Sequence, residues 1–307
     1  MKSLLFTVLL VGMALCGAEA RLNVLAMNPL LADLAKQVGG DAVSVTSLIP
    51  PGQDLHEFSP SPGDISQVRH ARIVFLSGLG LEAGFLAKLQ SDSQSGPLFV
   101  SLGDAIPPMA SLAHDDAHDH DHGENAHGTM DPHWWQSISN VRIAVRVIRD
   151  TFIAADPSQT QTFQTRAATF DRQLGELSRW IRVTVAAIPR DRRILVTSHD
   201  AFGYFARDYG FTVRPVSGLS TEDKPSSQSV RVLIAAIKSD QVGAIFLENA
   251  ENPKVLTEIT RETGARIGGT LYAGSLGTKE ATTYEDMMRH NVTTIVKGLR
   301  TPKSKQE

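Results

Sequence analysis

Thiol chemistry is nearly missing from this chain, because Cys16 is the only cysteine in 307 residues. Cys16 closes the apolar run 4–15, which follows Lys2 and precedes Ala18, Glu19 and Ala20. A basic start, a short apolar stretch and small residues form the three regions of a secretory signal peptide. Cleavage is expected near Ala20, with export to the periplasm. Leu15, ahead of the cysteine, is not the small residue that lipidation wants. The mature chain therefore has no thiol, which rules out a disulfide or a thiolate metal site even in an oxidising compartment. Excess basic charge is absent too: 30 Lys and Arg stand against 33 Asp and Glu, and aromatics make up 6%. Without a basic stripe or a stacking platform, nucleic acid is not an expected partner. No apolar run reaches the ~20 residues needed to span a bilayer.

What remains is an ordinary apolar share of 42%, enough for two cores in a chain of this length. Residues 22–27 read as a strand entering a helix, with Asn28 as cap, Pro29 at the first helical position and Gly39 at its end. Strand patterns return at 43–49, 72–78 and 98–103, with helical patterns at 64–71 and 82–90 between them. Such alternation predicts a parallel sheet. Residues 158–188 contain no proline and place Phe163, Ala167, Phe170, Leu174, Leu177, Ile181 and Val185 at helical spacing. A helix of that length would run over ~40 Å. Beyond it the alternation restarts, with strands at 193–199, 211–216, 242–249 and 265–272 and an amphipathic helix from Thr283. The expected fold is α/β: two (β/α)4 parallel-sheet lobes, 21–157 and 189–307, joined by a long rigid linker helix over 158–188, after a signal peptide at 1–20.

Histidine is the residue used unevenly. Six of the ten lie between His114 and Trp135. Imidazole and carboxylate in such density point to a transition metal, zinc above all. His114, His118, His120, His122 and His127 sit among Asp, Gly, Glu and Asn without apolar periodicity, as in a solvated accessory loop over 114–127 that collects ions. His133 differs, since Pro132, Trp134 and Trp135 can hold its ring in place. His56 and His199 each follow a predicted strand. Ligands of open parallel sheets bind beyond the carboxyl ends of strands, so two facing lobes can bring His56, His133 and His199 into one cleft. Glu248, at another strand end, is placed to orient a ligand imidazole. Gly78, Gly80 and Gly84 do not match the dinucleotide fingerprint, and no Walker A sequence is present.

The motifs LHEF around His56, GLGLE at 78–82, the acidic His-rich stretch, DPHWW around His133, SHDAFGYFA around His199 and the closing TYEDMM together resemble the metal-binding solute-binding proteins of bacterial ABC importers. The likeness is to the zinc-uptake type, ZnuA-like or AztC-like, of cluster A-I, and it runs over the whole mature chain. It implies two lobes with Zn2+ held between them by His56 and His133 of the first and His199 of the second. It also implies delivery to an ABC transporter membrane permease, with no catalysis. A periplasmic zinc chaperone is a conceivable loading partner, and a monomer is expected. One position departs from the pattern. Gly274 stands where many relatives carry an aspartate ligand, which leaves the fourth position to water or to Glu57 or Asp54. Restoring the carboxylate with Gly274→Asp is expected to tighten zinc binding, and affinity is expected to fall as the histidines protonate. Two other classes use the same donors: an exported three-histidine zinc hydrolase or lyase, with Glu57 beside His56 as base, and a metal store confined to the loop.

Overall fold

The computed structural model describes residues 21–90, 96–111, 130–221, 223–249 and 254–300. The signal region, the five histidines of 114–127 and the C-terminal tail lie outside the described residues.

The first lobe is built on β1 (Leu22–Ala26), β2 (Val43–Ser47), β3 (Ile73–Leu76) and β4 (Leu98–Ser101), all parallel, in the order β2-β1-β3-β4. Every residue of β3 is buried, as a central strand covered on both faces must be. Helix α1 (Pro29–Gly39) begins where the sequence places it: the Asn28 side chain accepts from the Leu31 amide, and Pro29 opens the first turn. Helices α2 (Pro62–His70) and α3 (Ala83–Gln90) complete the crossovers. Between β3 and α3 the chain turns through Gly78, Leu79 and Gly80, all at positive φ. The buried Glu82 carboxylate holds that turn by accepting from the Ser77 and Gly78 amides at 2.6 and 3.0 Å.

Helix α4 (Ile138–Ala155) falls in a stretch to which sequence reading assigned no element, although Ile138, Val141, Val145, Ile148 and Phe152 are all buried and spaced for one face. Helix α5 (Thr160–Val185) is the long helix. Its 26 residues bury Phe163, Ala167, Phe170, Leu174, Leu177, Ile181 and Val185, the seven residues of the predicted stripe. The helix is shorter than 158–188 because Pro157–Gln159 forms a separate 3-10 turn before it.

In the second half β5 (Ile194–Thr197) pairs with β6 (Thr212–Pro215), and β7 (Ala244–Glu248) with β8 (Arg266–Leu271), both in parallel. β5 lies beside β7, so the spatial order β6-β5-β7-β8 repeats that of the first lobe. The expected continuous sheet is realised as two hydrogen-bonded pairs. At their carboxyl ends the Glu248 carboxylate bridges them, accepting from the Ser198 and His199 amides at 2.9 and 3.2 Å. Helices α6 (Gly203–Tyr209), α7 (Ser227–Ser239) and α8 (Lys254–Thr263) cover this half. The last helix, α9 (Tyr284–Arg300), packs on β8 and α5 and reaches back to α1. No described helix is long and apolar enough to cross a membrane.

Candidate metal centre

Each histidine of the predicted triple arrives on a loop beyond a strand or at a helix entry, and each loop is fixed by its own neighbours. His56 follows β2. Its amide donates to Asp54 Oδ1 at 2.8 Å, and buried Leu55 anchors the segment in the core. The same loop is tied to the second lobe by the Gly52 amide, which donates to Ser275 Oγ at 2.9 Å. His133 precedes two fully buried tryptophans. Trp134 donates to the Ser77 carbonyl in the first lobe at 2.9 Å, and Trp135 to the Ala273 carbonyl in the second at 2.7 Å. His199 follows β5, with its carbonyl accepting from Thr197 Oγ1 at 3.0 Å.

The three rings converge. His133 Nε2 lies 3.3 Å from His56 Nε2 and 3.4 Å from His199 Nε2, and one ligand atom from each residue falls within 4.8 Å of the others. The far side of two rings explains which nitrogen faces inward. Asp131 Oδ1 sits 2.9 Å from His133 Nδ1 and also accepts the His133 amide at 2.8 Å; Glu248 Oε2 sits 2.7 Å from His199 Nδ1. A carboxylate at Nδ1 keeps the proton there and leaves the Nε2 lone pair free. Converging lone pairs at such separations repel one another unless a proton or a metal cation lies between them. A tetrahedral zinc shell with Zn–N near 2.0–2.1 Å has edges of about 3.3–3.4 Å, the spacing His133 Nε2 already has to each of the other two nitrogens.

Electrostatics keep the donors ready. Burial, reinforced by the neighbouring His133 and His199, draws the His56 pKa down to about 3 against the weaker pull of Asp54. Burial and His199 hold His133 well below its usual value, with Asp200 opposing. Both rings are neutral at physiological pH. Burial pushes Asp131 up to about 7, opposed by the His133 amide and by His199.

A cavity of ≈ 20 Å³ opens beside His56 and His199, lined also by Asp54, Thr221, Glu248 and Gly274. Asp54 is therefore near the rings, although one oxygen is taken by the His56 amide. Exposed Glu57 does not line this cavity; it faces a neighbouring one with Ser217 and Lys224. Neither carboxylate belongs to the cluster of three. A Cβ at Gly274 would stand 3.2 Å from Leu55 Cδ1, so a side chain there requires that flexible leucine to give way slightly. Among the other histidines, His70 Nδ1 lies 2.6 Å from the Ser66 carbonyl and His290 Nε2 2.9 Å from the Thr270 carbonyl, both away from the cluster.

Sequence reading missed two features. Asp131 is the partner of His133, and its signal was present: an acid two residues before a histidine, across a proline, can turn back on it. The other is the strap at 109–111. The Met109 carbonyl accepts from the Asp131 amide at 2.8 Å, Ala110 bridges Met130, and Ser111 Oγ donates to Asp200 Oδ2 at 2.9 Å. The His-rich stretch thus leaves and re-enters the described structure beside His133 and His199.

The chain matches the family described as zinc-uptake complex component A, periplasmic (ZnuA), over residues 24–298. The chain belongs to the ZnuA family. It is 36% identical to the manganese-binding lipoprotein MntA of Bacillus subtilis over 92% of this chain and 91% of that protein. It is 30% identical to the zinc-binding protein TroA of Treponema pallidum, covering 92% and 90%. The iron-binding protein YfeA of Yersinia pestis is 28% identical over 91% and 86%. The solved TroA structure superposes with a TM-score of 0.82 over 92% of this chain and all of that one, at 27% identity. As a ZnuA-family member the chain is a periplasmic metal-binding component of an ABC importer, working with permease and ATPase subunits. Family members bind and hand over their metal and are not enzymes, which removes the hydrolase and lyase readings.

Proposed function

We propose that this protein captures Zn2+ between its two lobes through Nε2 of His56, His133 and His199 and presents it to the importer's permease. The observation that carries this reading is the donor set: three imidazole nitrogens, with His133 Nε2 at 3.3 and 3.4 Å from the other two, and no carboxylate oxygen in the cluster. Nitrogen donors favour zinc over manganese, which prefers oxygen. The relatives' names do not choose among metals, since they include manganese, zinc and iron binders. Water completes the shell beside Gly274, and Asp131 and Glu248 orient two of the rings. In this reading the lobes are 21–157 and 189–307 about the 158–188 helix. The chain is exported with its signal cut near Ala20, it acts as a monomer, and the 114–127 histidines gather ions for the cleft or receive them from a periplasmic chaperone.

Zinc and manganese titrations against competing chelators test it. One tight zinc per chain should survive deletion of 114–127 and vanish in His199→Ala. Gly274→Asp should tighten zinc and raise manganese affinity more, since it adds an oxygen donor. Tight binding that leaves with the loop, or wild-type preference for manganese, would overturn the reading.

A further inference from the structure

We infer that Thr221 is a metal-positioning residue, whose hydroxyl holds the water that completes the cleft site; this rests on the function proposed above. Three observations meet at this residue. The ≈ 20 Å³ cavity against His56 and His199 has room for about one water. Gly274 on its wall offers no side chain, and the nearby Leu55 methyl offers no polar atom. Thr221 lines the same cavity, and its Oγ1 is occluded yet has no hydrogen-bond partner among the described residues. A buried hydroxyl in that position costs free energy unless something satisfies it.

A water bound to a divalent ion has both protons to donate and needs acceptors for them. Thr221 Oγ1 is one, and the Asp54 carboxylate on the same wall is the other. Thr221 belongs to the second-lobe segment after Gly218, whereas Asp54 belongs to the first-lobe loop that carries His56. The water therefore links the lobes as well as the metal. Held by two acceptors, it supplies the oxygen donor that the backbone at 274 does not.

The test compares the mature wild-type protein with Thr221→Val, which keeps the shape and loses the hydroxyl, and with Thr221→Ser, which keeps the hydroxyl. Loss of a partner to a ligand shifts metal affinity about tenfold. Thr221→Val should weaken zinc binding by about that factor and change the visible spectrum of the Co2+-loaded protein, which reports the coordination shell. Thr221→Ser should restore both. Each variant should still take one ion per chain, with the wild-type melting temperature in the metal-free state. A valine variant with wild-type affinity, or with weaker binding and an unchanged Co2+ spectrum, overturns the inference, as does a serine variant that behaves like valine. Failure of the wild type itself to bind one zinc tightly would instead sink the proposed function.

Discussion

Burial of one acid beside the histidines makes the site respond to pH. Asp131 has a pKa near 7 in the metal-free protein because burial disfavours its charge. A cation at His133 favours the carboxylate, so binding expels a proton from Asp131 below about pH 7. Zinc affinity should therefore rise with pH up to about 7 and then level. Of the three histidines expected from the sequence to set this slope, two are already neutral, since burial draws His56 down to about 3 and holds His133 well below its usual value. Asp131→Asn keeps an acceptor for His133 but cannot titrate. Chelator competition between about pH 5.5 and 8 should give a shallower profile for that variant, with affinity at pH 8 about tenfold weaker than wild type. Retention of the wild-type slope would assign the proton elsewhere.

Among the elements, α9 does more than close the second lobe. Tyr284 at its first turn donates its hydroxyl to the Trp135 carbonyl at 2.7 Å, while its amide donates to Asp33 Oδ2 in α1 at 2.8 Å. Both partners lie in the first lobe, and Trp135 in turn grips the 273–275 loop of the second. The start of the last helix thus pins the tryptophan behind His133. Tyr284→Phe leaves a buried carbonyl short of a donor and should cost about 1–3 kcal/mol in urea unfolding. Zinc stoichiometry should remain one. Unchanged stability would mean that the carbonyl finds another donor.

The whole molecule carries its two lobes on shared helices, since α5 packs on α1, on α4 and on α9. Such an arrangement favours one cooperative unit whose stability follows its cargo. With free zinc at a thousand times the dissociation constant, binding to the folded state alone adds about 4 kcal/mol. That corresponds to a melting temperature raised by roughly 10 °C for a chain of this size. Scanning with zinc and then with excess chelator should show the rise and its reversal in a single transition. A melting temperature indifferent to zinc would argue against binding at the lobe junction.

Periodicity, caps and residue chemistry are local properties, so the β/α alternation, the buried stripe of α5 and the three histidines are legible in the chain alone. The apolar face of α4 and the acid two residues before His133 are written there as well. Three-dimensional packing set His133 Nε2 at 3.3 and 3.4 Å from the other two ring nitrogens, paired the second-lobe strands as two ladders, and put Thr221, but not Glu57, on the wall of the cavity beside His56 and His199. Those outcomes depend on which loops two separate lobes bring together. Such contacts span 77 and 66 residues between the histidines, and no window of local pattern encodes them.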